Sequence, residues 1–218
     1  KAVNDMLPSV SIEDWKVYLD FHLVNDFAGI LTDRLVKHSF TFYGTVLSGT
    51  KVMKPLWRRV LGVVNGHVGE LLGRIYVKKH FTAEAKKRMN ILVDDLFTAY
   101  EARLKSLDWM TPATKKKALV KLRALNRKIG YPDKWKSFTG LVISPTDYVG
   151  NVIRTNEYEH MRTMKKLRGP IDRGEWFMYP QTVNAYFSPS LNDIAFPAAI
   201  LQPPRPAPCS VASAPSPC

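Results

Sequence analysis

The sequence predicts a mainly α-helical fold that closes with a small β element. Three observations lead there. Apolar residues recur at three- to four-residue spacing through most of the 218 residues. Ser or Thr caps followed by acids or proline open these stretches, and glycine or Gly-Pro pairs close them. Only after Glu175 does the pattern change, to two short alternating runs separated by turn residues.

The elements follow in order. Ser11 caps a first helix, Glu13 and Asp14 suit its positive end, and Trp15, Leu19, Leu23 and Phe27 form its apolar stripe. A second helical pattern covers Leu31–Leu47 and stops at Ser48-Gly49. Pro55 opens a third, carried by Trp57, Leu61, Val64, Val68, Leu71 and Ile75. Gly62, Gly66, Gly69 and Gly73 weaken this helix and permit a neighbouring backbone to approach closely. Thr82 caps the clearest helix, whose stripe is Met89, Val93, Leu96, Phe97, Tyr100 and Leu104, with Lys86, Lys87, Arg88 and Glu101 outside it. Thr111 and Pro112 open another helix that the pattern ends at Gly130, with Pro132 beyond it. Ser144 and Pro145 open the last, which ends at Gly169-Pro170. Thr182–Phe187 and Asp193–Phe196 read as two strands joined by Ser188–Asn192.

Charge and cysteine use narrow the function. The net charge of +13 points to a nucleic-acid or membrane-surface partner, to a substrate rich in acid groups, or to a basic piece of a better balanced protein. Residues 1–208 contain no cysteine, so the folded body has neither a disulfide framework nor a thiolate metal site. The chain begins without Met and without a signal-peptide core, and the apolar stretch at Ile194–Leu201 is too short to span a bilayer. No two histidines stand four apart, which excludes H-E-x-x-H; Glu157/His160 and His67/Glu70 are isolated pairs, as is His80/Glu84, and read as ordinary helix-surface or core residues. Phosphate-binding glycine loops and G-x-S-x-G are also absent. The basic runs Lys86–Arg88, Lys115–Lys117 with Lys121 and Arg123, and Lys165–Arg168 read as solvated helix faces. They lack the interleaved aromatics that a nucleic-acid binder uses. From the residues alone no catalytic residue and no metal ligand is assigned, and a stand-alone basic helical module binding nucleic acid or an acidic partner stays open as an alternative.

Longer stretches carry a resemblance. "VNAYFSPSLNDIAFPAAILQPP", "WRRVLGVVNGHVGELLGRIYVKKHF", "LDWMTPATKKKALVKLRALNRKIGYPD" and "MKKLRGPIDRGEWFMYPQTVNAYF" resemble segments of the neprilysin and endothelin-converting-enzyme family of zinc metallopeptidases, which includes bacterial oligopeptidases. The resemblance runs from about Leu7 to Pro204. It implies a two-lobed enzyme, in which a helical lid closes over a thermolysin-like catalytic lobe around peptide substrates. On that basis residues 1–147 are part of the lid lobe and 148–204 begin the catalytic lobe. Asn184 and Ala185 fall on the family's Asn-Ala pair that hydrogen-bonds the substrate backbone, and Tyr186 and Phe187 take the aromatic positions beside it. Zinc is the cofactor the resemblance implies for the parent protein. The H-E-x-x-H helix and the later E-x-x-x-D that bind it do not occur in this sequence, so this chain alone is expected to bind no catalytic zinc. Its expected partners are a peptide and the missing catalytic-lobe segment or a second copy, with no nucleic acid and no membrane span. The resemblance favours a periplasmic, cell-surface or secreted location and leaves the cytoplasm open. "RPAPCSVASAPSPC", residues 205–218, is unlike the family and has the composition of a disordered tail; a frameshift, a shortened gene or mis-assigned residues each account for it.

Overall fold

The computed structural model describes residues 2–202 of the chain; the tail expectation for 205–218 lies outside them. The elements run α1 (Ala2–Met6), α2 (Ile12–Phe27), α3 (Asp33–Ser39), a π-helical continuation (Phe40–Val46), α4 (Leu56–His80), α5 (Ala83–Ser106), α6 (Pro112–Arg123), β1 (Asn126–Gly130), α7 (Tyr148–Lys166), β2 (Tyr186–Ser188) and β3 (Asp193–Pro197). The fold is mostly helical with one three-stranded sheet. Contacts divide the chain into two units. One holds the residues up to Val63 together with Gly140–Met161, and the other holds Val64–Thr139 and the chain from Arg162 onward.

In the first unit, Ser11 caps α2 as the sequence requires, its hydroxyl accepting from the Asp14 N–H at 3.1 Å. The stripe of α2 is less buried than its spacing implies. Trp15 and Phe27 are half-buried, whereas Leu19 and Leu23 stay exposed, because no element of the described residues covers that face. The start of α7 differs from expectation. Ser144 and Thr146 form a small hydroxyl turn, and the helix begins at Tyr148 with Asp147 as its cap, accepting from the Gly150 N–H at 2.9 Å. Arg154, about two turns on, bonds the same carboxylate at 2.9 Å and holds it below the usual carboxylate range. A carboxylate that caps a helix and pairs an arginine outcompetes a serine three residues earlier.

The second unit contains the sheet and its supports. Thr82 caps α5, accepting from the Ala85 N–H at 3.1 Å. The packed face of this helix is rotated from the expected one. Val93 is buried and Met89 and Phe97 are half-buried, but Leu96 and Tyr100 are exposed. Lys86 and Glu101 take their places on the packed side. Lys86 reaches Asp133 and the Tyr131 carbonyl and lies over the Tyr131 ring, and Glu101 pairs with Arg123 on α6. Long side chains can bury their stems while their charged ends find partners, so polarity alone did not mark the outer face.

The largest departure is β1. The helix opened by Thr111 and Pro112 ends at Arg123, not at Gly130, and Asn126–Gly130 forms a strand parallel to β3. The order in the sheet is β1-β3-β2, with Lys128 opposite Ala195, and Tyr186 of β2 opposite the same Ala195 from the other side. Pairing with a partner distant in sequence overrides the helical pattern here. Gly130 still marks an end: its φ of +79° and the Phe81 ring, which a Cβ there would meet at 2.5 Å, both demand glycine.

Only two of the four glycines of α4 serve close approach. A Cβ on Gly69 would strike the Tyr179 ring at 2.4 Å, and one on Gly73 would strike Pro180 and Gln181 at 2.8 and 2.9 Å, whereas Gly62 and Gly66 face open space. The helix kinks at Val68 (φ −128°, ψ 29°), directly before the seat of Tyr179. Gly69→Ala or Gly73→Ala is therefore expected to cost about 1–3 kcal/mol through overpacking. Gly62→Ala and Gly66→Ala are expected to stabilise by up to about 1 kcal/mol through helix propensity. Chemical denaturation of the four variants checks the contrast.

Acid sensitivity provides a further expectation. Side-chain hydrogen bonds from Arg123 and then Lys105 lower the Glu101 carboxyl from 4.5 to about 2. A carboxyl depressed by folding contributes stability that is complete above its unfolded value near 4.5 and is lost as the pH falls through about 2. The melting temperature should fall over that window, and Glu101→Gln should fall less steeply there while being less stable above it.

Candidate functional site

The candidate site is the outer edge of β2. Its strand pairs on one side with β3, through Tyr186↔Ala195, Phe187↔Ile194 and Ser188↔Asp193, and no strand lies on its other side among the described residues. An unpaired strand edge offers a row of N–H and C=O groups to another extended chain.

Alternation fixes what each face carries. Tyr186 and Ser188 share a face with Asp193, Ala195 and Lys128, while Phe187 shares the other with Ile194 and Arg127. The first face is buried around one ion pair: the Lys128 ammonium bonds the Asp193 carboxylate and donates to the Glu175 carbonyl at 2.6 Å. Both side chains are almost inaccessible, and Asp193 Oδ1 has no hydrogen-bond partner among the described residues. On the second face, Arg127 pairs with Asp94 and lies over the Phe97 ring of α5.

Three ties hold the hairpin, at its entry, its turn and its exit. Before β2, the Tyr179–Thr182 turn sits on α4, with the Gln181 Nε2 donating to Asn65 Oδ1 at 2.6 Å and to the Gly69 carbonyl at 2.9 Å. Between the strands, Asn192 adopts a positive φ of 49° and its amide donates to the Lys121 carbonyl at the end of α6, 3.1 Å away. After β3, Ala198 donates to the Gly130 carbonyl at 2.7 Å and Gln202 to the His80 carbonyl at 3.0 Å.

The four residues read from the sequence are thus brought to one edge. Asn184 is exposed and lies two residues before β2, not within it. The first strand is shorter than the expected Thr182–Phe187, because residues 179–182 are drawn into the turn on α4. The Asn184 Oδ1 accepts from the neighbouring Ala185 N–H at 2.8 Å, and its Nδ2 has no partner among the described residues. Tyr186 is half-buried, its hydroxyl accepting from the Phe177 N–H at 3.3 Å, and Phe187 is exposed. Phe177, Lys128 and Gln181 carry no mark in the sequence. Nothing in the pattern "NRKIG" announces a buried lysine, and Phe177 lies outside both strands.

Elsewhere, polar candidates are tied up or scattered. Glu70 is buried, its carboxylate accepting from the Lys136 N–H, and burial lowers the neighbouring His67 imidazole from its ordinary value. Glu157 and His160 are exposed. Among the described residues no three His, Cys, Asp or Glu side chains converge as a metal site requires. These residues do not fit a zinc centre.

Residues 1–132 match the model for peptidase family M13. The chain belongs to that family. It is 32% identical over 210 residues to human neprilysin and 31% identical over 211 residues to mouse membrane metallo-endopeptidase-like 1, in each case covering 93% of this chain and 28% of the relative. Among solved structures it superimposes on Mycobacterium tuberculosis zinc metalloprotease ZMP1 in complex with inhibitor, with a TM-score of 0.82, 46% identity, and coverage of 92% of this chain and 30% of that one. PepO from Lactobacillus rhamnosis gives a TM-score of 0.78 at 29% identity, covering 88% and 31%. The chain therefore spans less than a third of the length of these relatives. Family M13 is a family of zinc metallopeptidases, as the resemblance implied. No helix of the described residues is long and apolar enough to cross a membrane.

The buried pair beneath the hairpin gives the expectation of this section. Lys128→Met alone leaves Asp193 as an uncompensated buried charge and should cost about 3–5 kcal/mol. Adding Asp193→Asn should recover a large part of that loss, read as midpoints of urea unfolding.

Proposed function

We propose that this chain is part of a zinc metalloendopeptidase and that its β2 edge aligns peptide substrates by strand addition. In this reading residues 1–147 belong to the lid lobe and 148–204 begin the catalytic lobe. The observation that carries the proposal is the open edge of β2, with Asn184 two residues before it and its Nδ2 without a partner among the described residues. An extended peptide beside β2 pairs its own N–H and C=O groups with that edge.

Asn184 extends the pairing by one contact. Its Oδ1 is partly used by Ala185, which fixes the carboxamide plane and leaves both Nδ2 hydrogens for a substrate carbonyl. A carboxamide already held in one orientation loses little freedom when the peptide arrives. The side chains of the peptide then alternate between the Tyr186 and Phe187 faces. Because no three His, Cys, Asp or Glu side chains converge among the described residues, we assign bond cleavage to residues outside them. Conversely, several cations of the basic runs have partners within the fold: Lys86 with Asp133, Arg123 with Glu101, and Lys166 with Glu175. This favours a structural role for them over a nucleic-acid surface.

In the full-length protein carrying this chain, Asn184→Ala should lower kcat/KM about tenfold to a hundredfold, on the scale of a lost hydrogen bond of about 1–3 kcal/mol. Zinc content and melting temperature should stay unchanged. Unaltered kcat/KM across several peptides, or a large loss of stability in its place, overturns the proposal.

A further inference from the structure

A peptide beside β2 meets more than the strand. Phe177 precedes β2 by nine residues and lies against its Tyr186. The two rings are 5.5 Å apart and inclined at 45°, and the Phe177 N–H donates to the Tyr186 hydroxyl at 3.3 Å. Behind Phe177, the Lys128 ammonium lies 5.7 Å from the ring centre, fixed by its buried bond to Asp193. The ring is thus tethered by a backbone hydrogen bond, an aromatic neighbour and a nearby cation, yet 59% of the residue is exposed.

A large aromatic side chain that is held in place while facing solvent is a pre-ordered apolar contact. Its ordering cost is met on folding, so an incoming group gains most of the burial. The position matters as well. Residues opposite one another on paired strands stand about 4.5–5.5 Å apart at Cβ. A peptide side chain opposite Tyr186, on the same face, therefore falls within reach of both rings. The next peptide side chain turns to the other face and meets Phe187 instead.

We propose that Phe177 is a specificity-determining residue: with Tyr186 it forms an aromatic shelf that takes one bulky apolar side chain of the bound peptide. This rests on the reading of the β2 edge as the peptide-binding strand. The shelf selects for size and apolarity at one peptide position and leaves main-chain pairing to the strand and Asn184. A small or polar residue at that position leaves the Phe177 face in water and gains nothing from it.

The test compares the full-length protein with its Phe177→Ala, Phe177→Leu, Phe177→Tyr and Asn184→Ala variants. The substrates are peptides that differ only by Phe, Leu, Ala or Ser, placed in turn at each position flanking the cleaved bond. In Phe177→Ala the preference for Phe over Ala at one position should fall about threefold to tenfold, the range expected for one aromatic contact. Phe177→Leu, which keeps apolar bulk for folding, should move the same way, and Phe177→Tyr should retain the preference. Asn184→Ala should slow all peptides alike. If Asn184→Ala slows them and the Phe177→Ala and Phe177→Leu preferences are unchanged at every position, or all peptides fall equally in those variants, the shelf is overturned and the strand reading stands. If Asn184→Ala has no effect on any peptide, the strand reading fails and the shelf with it.

Discussion

The buried bond between Lys128 and Asp193 is the constraint on which the sheet depends. It joins β1 to β3 on a face that water hardly reaches, and the same ammonium fastens the Glu175 carbonyl above it. Two charges removed from water tolerate little displacement, because each loses its opposite charge if the other moves. The pair therefore specifies register. Sliding β1 by one residue along β3 would turn Lys128 to the other face and put Arg127 or Ile129, depending on direction, in its place. Since β3 also pairs with β2, the groups along the open edge stand one strand from the carboxylate of this ion pair and two strands from its ammonium.

A second constraint acts on the same hairpin from the opposite direction. The Tyr179–Pro180–Gln181 turn needs a helix surface without side chains, and Gly69 and Gly73 provide it one turn apart. The kink at Val68 and the hydrogen bonds of Gln181 to Asn65 and Gly69 belong to that seat. The hairpin is thereby tethered through its entry to α4, through its turn to the end of α6, and through its exit to Gly130 and His80. An edge so tethered presents its groups in a fixed order without being covered.

Local chemistry made most helices legible. Ser11, Thr82 and Thr111 each accept from the N–H three residues on, as their sequence positions required. Legibility failed where distant residues decide. Asn126–Gly130 contains three polar residues and one isoleucine, so no alternation announces a strand; its partner is β3, and Lys128 is buried only because Asp193 awaits it. The four glycines of α4 look equivalent until Tyr179 and Pro180 choose two of them. At the candidate site, the turn residues of the hairpin were readable, whereas Asn184 to Phe187 stood out as a group only through the family resemblance. The hydrogen bond of Asn184 to its own neighbour and the place of Phe177 beside Tyr186 were not readable, since both arise from how residues 175–185 run between α7 and the sheet.

The parallel pairing of β1 with β3 also governs when the sheet can exist. Lys128 and Asp193 are 65 residues apart, whereas β2 and β3 are joined by a short turn. During synthesis at roughly 5–20 residues per second, Lys128 leaves the ribosome on the order of 3–13 s before its carboxylate partner. Throughout that interval β1 has no strand to join, and its ammonium must remain in water. The β2–β3 hairpin can form as soon as it emerges, but the long loop closure that brings it to β1 comes with an entropic cost that local contacts do not share. Completion of the sheet is then a late, concerted event, in which desolvation of a charge pair and docking of the hairpin occur together.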